Sequence, residues 1–425
     1  MGMNRRIFLQ QSAAGAAIAG LSSPMVARAA AKEGERRVVV VGGGFAGATC
    51  ARTLLRLDPR LSITLVEASR TFIACPFSNG VIVGLRGMAS QRFGYAGFGG
   101  ITVRFAAATA VDPPSRTVTL SDGVKLAYDR LVLAPGIDIL WDALPGYSEQ
   151  AAQRMPHAWK AGEQTLLLRR QLAAMHDGGL VVISAPANPF RCPPGPYERA
   201  SLIAWYLKAH KRRSKVIILD AKDSYSKQRL FERAWKALYP GLIEWVPLSQ
   251  GGKVTSVDPV AMTLTTDFAT QKAAVANVIP PQRAGRIALA AGVADRSGWC
   301  PIDPATFQST LQPDIHVIGD AAIAGAMPKS AFAANAQAKV CAAAVVDLLA
   351  GRPPEEPRLI NTCYSLVAPD YGISIAGVYH PAGGQLIDVP GAGGISPLDA
   401  PRSFRAQEAK YANGWFTTIT AETFG

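Results

Sequence analysis

A glycine-rich turn between two apolar runs is the feature that most restricts how this chain can fold. Residues 37–41 are an arginine followed by four valines, and Gly42-Gly43-Gly44-Phe45-Ala46-Gly47 comes directly after them. Residues 62–67 then form a second apolar run. This order predicts a buried parallel strand, a tight turn, a helix and a return strand.

Each glycine of the turn has its own expected role. Gly42 permits a sharp turn, Gly44 lets the backbone approach a pyrophosphate, and Gly47 lets the helix pack against the strands. Phe45 and Ala46 lie where the helix begins, so free N–H groups and a positive dipole end face the phosphates there.

Glu67 ends the return strand, 20 residues after Gly47. An acid at this distance hydrogen-bonds a ribose hydroxyl in dinucleotide-binding folds. The alternative is an ordinary strand, turn and helix with incidental glycines, which would leave the position of the acid unexplained. The sequence therefore predicts a site for an adenine dinucleotide.

The first 29 residues have the three parts of an export signal. Arg5-Arg6 forms a paired-arginine region, residues 13–21 are weakly apolar, and Ala27-Arg28-Ala29 is a small-residue cleavage site. This segment resembles a twin-arginine signal; the alternative is a frayed apolar N-terminus. We expect the mature chain to begin near Ala30 and to be periplasmic.

Length and charge restrict the class of protein. A chain of 425 residues allows two to three domains and a large core. The formal net charge is +13, of which Arg5, Arg6 and Arg28 carry three. No nucleic-acid motif accompanies this charge, so we expect an anionic small substrate or an acidic protein partner and no nucleic acid. No stretch after Ala30 approaches the ~20 apolar residues of a spanning helix, so we predict no integral membrane segment.

Six cysteines permit disulfides in an exported chain, but counting cannot distinguish their fifteen pairings. None lies in a C-x-x-C or C-x-x-C-H pattern, so we expect no c-type haem on this chain and no metal site. Cys50 and Cys341 fall on apolar helical faces, and Cys300 could lie near a bound cofactor. The remaining three are Cys75, Cys192 and Cys363.

Two later segments favour FAD over NAD in the first site. The apolar run 131–133 ends in Ala134-Pro135-Gly136, which is typical of the crossing into a second domain in two-dinucleotide flavoproteins. The apolar run 315–318 ends in Gly319-Asp320. This aspartate can bond the ribityl or pyrophosphate end of a flavin while the next helix points its N-terminus at the isoalloxazine.

A second strand–helix–strand unit spans residues 180–220, but its turn does not suit a nucleotide. Residues 185–198 contain five prolines, which remove backbone donors where a pyrophosphate would need them. We therefore expect that NADH and NADPH do not bind and that electrons come from another donor. The turn carries Cys192 instead.

From about Arg36 to the C-terminus, the chain resembles the flavoprotein subunit of flavocytochrome c sulfide dehydrogenase. Four segments carry the resemblance: Cys75-Pro76-Phe77-Ser78-Asn79, residues 189–199 (PFRCPPGPYER), residues 361–369 (NTCYSLVAP) and Asn413-Gly414-Trp415-Phe416. These long matches are more specific than the glycine turn.

The resemblance implies roles for particular residues. Cys75 would be joined through sulfur to the flavin 8α-methyl group, and Cys192 and Cys363 would form a redox-active disulfide against the isoalloxazine. Glu198 would be a base, Trp415 would belong to the flavin site, and electrons would pass to a separate c-type cytochrome subunit.

Each role has a plainer alternative. The disulfide could be structural or absent, Cys75 could be a buried thiol, Glu198 could only stabilise its helix, and Trp415 could be a core aromatic.

The chemistry agrees with these roles. Hydrosulfide attack on one sulfur of a Cys192–Cys363 disulfide would leave a persulfide on one cysteine and a thiolate on the other. Glu198, early in the following helix, could take a proton from hydrogen sulfide. A flavin accepts electron pairs and can release single electrons to a haem.

The predicted fold is α/β: two doubly wound Rossmann-like domains of the glutathione-reductase-like kind, with a C-terminal α+β cap. We expect a discontinuous FAD domain of residues 36–145 and 282–351, a second Rossmann-like domain of residues 146–281 without an NAD site, and a cytochrome-facing domain of residues 352–425.

Three functions are open. The first is periplasmic sulfide oxidation within a heterodimer with a c-type cytochrome. The second is sulfide oxidation with a quinone acceptor, which would call for an amphipathic tail that the polar ending does not resemble. The third is a non-catalytic flavin-bearing accessory subunit of a thiosulfate-oxidising system.

Overall fold

The computed structural model describes residues 36–425, so the predicted export signal of residues 1–29 lies outside the described part of the chain. Its α-helices are α1 (Phe45–Leu57), α2 (Ser78–Ile82), α3 (Glu163–Ala174), α4 (Gly195–His210), α5 (Gln228–Leu238), α6 (Arg286–Ala290), α7 (Ala331–Leu349) and α8 (Arg402–Phe424).

The strands fall into three groups along the chain. The first group is β1 (Arg37–Val41), β2 (Ser62–Glu67), β3 (Phe72–Ile73), β4 (Arg92–Phe93), β5 (Thr102–Phe105), β6 (Ala108–Asp112), β7 (Thr117–Leu120), β8 (Lys125–Ala127), β9 (Arg130–Leu133) and β10 (Ile137–Ile139). The second is β11 (Leu180–Ala185), β12 (Lys215–Asp220), β13 (Ile243–Val246), β14 (Val254–Asp258), β15 (Thr263–Thr266), β16 (Thr270–Lys272) and β17 (Val275–Val278). The third is β18 (Gln282–Ala284), β19 (Cys300–Pro301), β20 (Ile315–Val317), β21 (Ala322–Ile323), β22 (Leu359–Ala368), β23 (Tyr371–Ala382), β24 (Gln385–Asp388) and β25 (Gly394–Ile395).

A parallel sheet with the strand order β20-β9-β1-β2-β5 contains the predicted glycine turn. Its central strand β1 is almost wholly buried because both faces are covered, which accounts for its run of valines. Strand β20 pairs with β9, with His316 opposite Val132, so the chain returns to this sheet after a long excursion. Helices α1 and α7 pack against each other beside it.

A second parallel sheet has the order β13-β12-β11-β17. Its central strand β11 is buried almost throughout, and helix α4 follows it after the proline-rich turn. Proline at the first turn of α4 is tolerated because the N–H groups there have no partner within the helix. An antiparallel excursion, β14-β15-β16, lies between β13 and β17 in sequence.

The C-terminal part consists of the antiparallel sheet β22-β23-β24 and the long helix α8. Helix α8 lies directly on β23, where a Cβ on Gly372 would come within 2.5 Å of the backbone nitrogen of Ala409. Only glycine permits so close an approach of helix and strand. Strand β22, at the edge of this sheet, contacts α4 and α7 and so joins the C-terminal part to the rest.

A buried ion pair ties α8 to the same sheet. Arg405 and Glu408 are 1% and 4% exposed, and their charged atoms are 3.1 Å apart. Glu408 also accepts hydrogen bonds from the hydroxyls of Ser374, at 2.7 Å, and Ser396, at 2.5 Å. Because the two charges pair with each other and Glu408 also binds both hydroxyls, the pair fixes the helix on the sheet with little uncompensated charge.

Helix α7 bears on the prediction that the chain has no integral membrane segment. Its 19 residues, with a mean hydropathy of 1.3, are long and apolar enough to cross a membrane, although no stretch of that kind is apparent from the sequence; the prediction remains compatible with the structure. More than half of this apolar window, 56%, is buried inside the protein. The helix packs on α1 and β22, which is typical of the core helix of a folded domain.

Candidate functional site

A cavity of about 580 Å³ runs from the glycine turn of the first sheet to strand β22 and helix α8. It brings together almost every residue predicted for the site. The predicted residues in its lining are Gly42, Gly44, Phe45, Ala46, Glu67, Cys75, Ala134, Gly136, Cys192, Glu198, Gly319, Asp320, Cys363 and Trp415. Gly47 is the exception.

The glycine turn has the geometry that its sequence predicted. Gly42 has φ +100°, and a Cβ there would lie 2.3 Å from the carbonyl oxygen of Ala134. A Cβ on Gly47 would lie 1.8 Å from the carbonyl oxygen of Gly42. Gly47 therefore serves the packing of α1 on the strands and does not itself line the cavity, as its predicted role in helix packing requires.

Glu67 lies beside the turn, but its carboxylate already has protein partners. One oxygen accepts a hydrogen bond from the N–H of Gly43 at 2.6 Å, and the other accepts one from the N–H of Ser69 at 2.9 Å. A carboxylate oxygen can accept two hydrogen bonds, so each oxygen retains capacity for a ribose hydroxyl. The predicted ribose acid thus also holds the turn in shape.

The Gly319-Asp320 segment lies opposite the glycine turn, against the start of α7. The N–H of Gly319 donates to the side chain of Gln337 at 2.7 Å. Asp320 is 3.7 Å from the guanidinium of Arg191, so its charge is partly balanced by the protein. The first residues of α7, Ala331 and Phe332, line the cavity, which places the N-terminus of this helix beside it as predicted.

These features fit a flavin dinucleotide. The glycine turn leaves room at the backbone where side chains would collide, and the start of α1 faces the same space. Beyond the turn the cavity continues past Cys75 to Cys192, Cys363 and Trp415, so a planar ring at that end would meet sulfur and aromatic side chains. Trp415 is partly buried and stacks on Phe332, with ring centroids 6.2 Å apart.

Cys192 occupies a strained position in the proline-rich turn. Its φ is +59°, which is rare for a residue other than glycine. The strain is held by two hydrogen bonds of 2.8 Å, from its N–H to the carbonyl of Lys329 and from the N–H of Gly195 to its own carbonyl. Burial, together with the nearby Glu198 and Cys363, raises the pKa of the Cys192 thiol to about 12.

Cys363 reaches the same cavity from strand β22, 171 positions later in the chain. Its Sγ accepts a hydrogen bond from the side-chain amide of Asn361 at 3.3 Å. The ammonium of Lys227 donates to the carbonyl of Cys363 and to the hydroxyl of Ser365, both at 2.8 Å. Cys192 and Cys363 are free cysteines here, so the disulfide that the resemblance implies is not formed in this structure.

Glu198 lies in the first turn of α4, but its carboxylate is engaged beyond the helix. One oxygen accepts from the N–H of Leu366 at 2.9 Å, and the other accepts from the amide of Asn79 at 3.2 Å. Burial raises the pKa of Glu198 above the usual carboxyl range. A carboxyl with a raised pKa in a cavity holds a proton more readily than an exposed one, as a group that takes a proton from a substrate requires.

Arg199 positions Glu198 indirectly, through Asn79. It is only 2% exposed, and its guanidinium donates to the side chains of Asn79, at 2.9 Å, and Asn277, at 2.8 Å, and to the carbonyl of Ala158, at 2.7 Å. Burial lowers the pKa of Arg199 to about 10. Because Arg199 holds the amide oxygen of Asn79, the NH₂ group of that amide is turned toward Glu198.

The other four cysteines differ in whether they line the cavity. Cys75 lines the cavity, with its Sγ 3.7 Å from the carbonyl oxygen of Trp159, which Arg191 also contacts. Cys300 is fully buried and, among residues 36–425, does not belong to the cavity lining. The remaining two, Cys50 and Cys341, are fully buried on α1 and α7, as their apolar surroundings predicted.

The nucleotide position of the second sheet is occupied by side chains of the protein. Asp220 ends β12, where an acid would bind a ribose, but it is fully buried. It accepts hydrogen bonds from Tyr197 and Lys222, both at 2.5 Å, and from Trp245 at 2.9 Å. The ring of Tyr197 stacks on Tyr225 with centroids 3.6 Å apart.

Several site residues were not predicted from the sequence. Asn79, Arg191, Arg199 and Asn361 lie inside the segments that carried the resemblance, so proximity to the cysteines was a usable signal. Lys227 had no sequence signal, because it is an isolated lysine in a polar loop. Within residues 36–425, no group of three or more His, Cys, Asp or Glu side chains is placed to hold a metal ion.

Three family models match the chain. Residues 165–280 match "Sulfide dehydrogenase [flavocytochrome c] flavoprotein chain, central", and residues 355–424 match "Flavocytochrome c sulphide dehydrogenase, flavin-binding". Residues 36–172 match the pyridine nucleotide-disulphide oxidoreductase family.

Individual relatives agree with these families. The chain is 60% identical over 48 residues to the sulfide dehydrogenase [flavocytochrome c] flavoprotein chain of Chlorobaculum thiosulfatiphilum, a match that covers all of that sequence and 11% of this chain. It is 30% identical over 185 residues to the sulfide-quinone reductase of Aquifex aeolicus, covering 43% of this chain and 41% of that protein.

Solved structures show the fold. The sulfide:quinone oxidoreductase of Aquifex aeolicus superposes with a TM-score of 0.69 at 19% identity, covering 91% of this chain and 92% of the other. The covalent putidaredoxin reductase–putidaredoxin complex gives a TM-score of 0.64, also at 19% identity, covering 89% and 93%. The predicted α/β class with Rossmann-like domains is confirmed, whereas the predicted domain bounds remain predictions.

Proposed function

Because this chain belongs to the flavoprotein family of flavocytochrome c sulfide dehydrogenase, we propose that it oxidises sulfide in the periplasm and passes the electrons to a c-type cytochrome subunit. The relatives support a flavin-dependent oxidoreductase that acts on sulfide. One observation carries the proposal: Cys192, Cys363 and Glu198 line the same cavity as the glycine turn.

The two cysteines would work as a redox pair. In the oxidised protein, hydrosulfide attacks one sulfur of the Cys192–Cys363 bond, which breaks and leaves a persulfide on one cysteine and a thiolate on the other. When hydrogen sulfide itself enters, Glu198 takes its proton. The negative charge is retained within a cavity whose buried cations, Arg191, Arg199 and Lys227, act on both sulfurs or their neighbours.

FAD would bind between the glycine turn and α7, with its ring end toward the cysteines, and Cys75 would carry the covalent link. When bound, a flavin supplies two-electron uptake and one-electron release, which matches a dithiol donor to a haem acceptor. Glu67 and the start of α1 would hold the nucleotide end, while Trp415 packs at the ring end.

The electron donor would not be a nicotinamide. The proline-rich turn lacks the backbone donors that a second pyrophosphate requires. Asp220 is satisfied by Tyr197, Lys222 and Trp245, so a ribose would have to break a buried hydrogen-bonded group to bind there.

We predict that anaerobic sulfide bleaches the flavin of the purified protein rapidly and that NADH does not. Replacing Cys192 or Cys363 by serine should slow bleaching by at least about a thousandfold, because the group that accepts the sulfide is lost. The Cys300→Ala variant is the matched control, since Cys300 lies outside the cavity lining, and it should react normally. Stopped-flow absorbance measures all five reactions.

The same preparation separates the alternatives. Reduced protein that reoxidises with a c-type cytochrome and not with a short-chain quinone supports the cytochrome acceptor, and the reverse preference identifies a quinone reductase. A flavin that sulfide leaves oxidised contradicts the enzymatic reading and favours a flavin-bearing accessory subunit. Bleaching by NADH would show that the protein binds a nicotinamide nucleotide despite the proline-rich turn.

The role of Glu198 predicts a pH dependence. Because a base must be ionised and burial raises the pKa of this carboxyl, the wild-type rate with sulfide should rise as the pH passes that raised pKa. Glu198→Gln should be slower by about 100-fold above that raised pKa, at pH values where hydrogen sulfide still enters protonated, and should approach the wild-type rate at alkaline pH, where hydrosulfide enters. An equal loss at every pH would mean that Glu198 acts only through its bond to Leu366.

Covalent attachment through Cys75 predicts that acid precipitation leaves the flavin on the wild-type polypeptide. The Cys75→Ala variant should bind FAD but release it on precipitation, because the glycine turn and Glu67 still hold the nucleotide end. Absorbance of the supernatant measures the release. Free flavin from the wild-type protein would contradict the link.

Export by the paired arginines predicts that replacing Arg5 and Arg6 together by lysine retains the protein in the cytoplasm. Arg28→Lys, which keeps the pair, is the control and should be exported normally. Fractionation with immunodetection distinguishes them. Export of the double variant would contradict a twin-arginine signal.

A further inference from the structure

We propose that Asn361, oriented by Ser330 and assisted by the charge of Lys227, stabilises a sulfur anion on Cys363. Cys363 is then the cysteine that leaves as thiolate, and Cys192 receives the incoming sulfur. The direction of attack rests on the proposed function. The stabilisation of the Cys363 thiolate does not, because it requires no sulfide.

The amide of Asn361 touches the sulfur. Its Nδ2 lies 3.3 Å from the Sγ of Cys363, within hydrogen-bond range for sulfur. Its Oδ1 accepts a hydrogen bond of 2.7 Å from the hydroxyl of Ser330, which itself accepts from the N–H of Ala333 at 3.0 Å. Ser330 thus holds Oδ1, which is 3.8 Å from the Sγ of Cys363, and the NH₂ nitrogen is the nearer of the two amide atoms to that sulfur. Asn361 is 2% exposed, so little water competes for this donor.

Lys227 adds a full positive charge. It is 4% exposed, and two of its three N–H bonds go to the Cys363 carbonyl and the Ser365 hydroxyl. Both acceptors are neutral, and within residues 36–425 no carboxylate is bonded to the ammonium. A buried ammonium whose acceptors are neutral is stabilised by a nearby anion. The Cys363 thiolate would be such an anion, because it belongs to the residue whose carbonyl Lys227 binds.

Cys192 has less favourable surroundings for a thiolate. Burial and the nearby Glu198 carboxylate oppose the ionised form of its thiol, although Arg191 and Lys227 act in the other direction. The nearest cation of its own turn, Arg191, is partly balanced by Asp320 at 3.7 Å. The Sγ of Cys363 accepts a hydrogen bond from Asn361, while no group within residues 36–425 donates one to the Sγ of Cys192, so a thiolate on Cys363 has a donor that one on Cys192 lacks.

The difference sets the direction of the exchange. Hydrosulfide attacks the Sγ of Cys192, the Sγ–Sγ bond breaks, and its electron pair leaves on the Sγ of Cys363. The products are a persulfide on Cys192 and a thiolate on Cys363, so one negative charge is present before and after. If hydrogen sulfide enters, its proton goes to Glu198. The leaving thiolate forms where Asn361 donates to it.

Other titratable groups around Cys363 set the background for this effect. These groups are Cys192 in the turn before α4, Glu198 on α4, Lys227 in the loop before α5 and Tyr379 on β23. Glu408 on α8 acts on Lys227. Of these, Lys227 carries the positive charge.

The test measures the thiol pKa of Cys363 in the flavin-loaded, full-length Cys192→Ser protein. The rate of alkylation against pH is read for the peptide that contains Cys363 by mass spectrometry. Asn361→Ala should raise this pKa by about one unit or more, a tenfold loss of thiolate at a given pH, because a hydrogen bond to the anion is lost. Lys227→Met should raise it similarly, and Lys227→Arg should restore the parent value.

Two further variants separate donation from structure. Ser330→Ala should raise the pKa by less than Asn361→Ala, because it frees the amide to turn without removing it. Ser365→Ala removes a hydrogen bond of Lys227 but no donor to the sulfur, so it should leave the pKa unchanged. An unchanged pKa in Asn361→Ala overturns the proposal, and so does an equal shift in Ser365→Ala and Lys227→Met. If Asn361→Ala does not fold, the isosteric Asn361→Asp replaces the donor by an anion and should raise the pKa further.

The direction of attack has a separate readout. After one equivalent of sulfide is added to the oxidised wild-type protein and thiols are trapped, the persulfide should be found on the Cys192 peptide. A persulfide on the Cys363 peptide overturns the assignment of the leaving group. The thiol titration uses neither sulfide nor a cytochrome, so its result stands even if sulfide does not reduce the flavin and the proposed function fails.

Discussion

Two charged side chains hold strand β22 against the middle part of the chain, and the position of Cys363 depends on them. Glu198 accepts from the N–H of Leu366, and Lys227 donates to the carbonyl of Cys363. These contacts join residues 168 and 136 positions apart. Since Glu198 follows Cys192 by six residues at the start of α4, the same contacts place Cys363 relative to Cys192. The cysteine pair is thus built by tertiary contacts between segments that have no local reason to meet.

Burial gives the charges of this cavity their effect. Arg199 and Lys227 are satisfied by neutral oxygens, so their charge is not cancelled by a bonded carboxylate. In a medium of low polarity such charges act strongly on nearby ionisable groups. These cations favour a thiolate at either sulfur, whereas burial disfavours a thiolate at Cys192. The result is an asymmetric pair of cysteines in which each sulfur has its own electrostatic surroundings.

The second strand–helix–strand unit carries Cys192 in the turn where a nucleotide-binding unit has glycines. The turn after β11 keeps its place at the end of a parallel strand, where ligands usually bind in such sheets. Prolines replace the backbone donors, and aromatic rings with Asp220 fill the ribose position. What remains is a rigid support on which Cys192 is held at a positive φ beside the cavity of the first sheet.

The sequence by itself determined the local features of this protein. The glycine turn, the strands around it and the acid at Glu67 were predictable because each depends on neighbouring residues and on backbone geometry. The membership of Cys75, Cys192, Cys363 and Glu198 in one site was expected only from the resemblance. Tertiary structure alone decided that the N–H of Cys192 donates to the carbonyl of Lys329, a contact that helps to hold Cys192 at its positive φ.

It alone also decided that Lys227 lies against Cys363 and that the amide of Asn361 faces the sulfur. The physical reason is that a buried hydrogen bond between distant segments depends on which surfaces pack together. Lys227 in a polar loop and Asn361 on a strand carry no pattern that reveals their partners. Only the packing of β22 on α4 and α7 removes water from these groups and turns an isolated lysine and an amide into parts of a cysteine site.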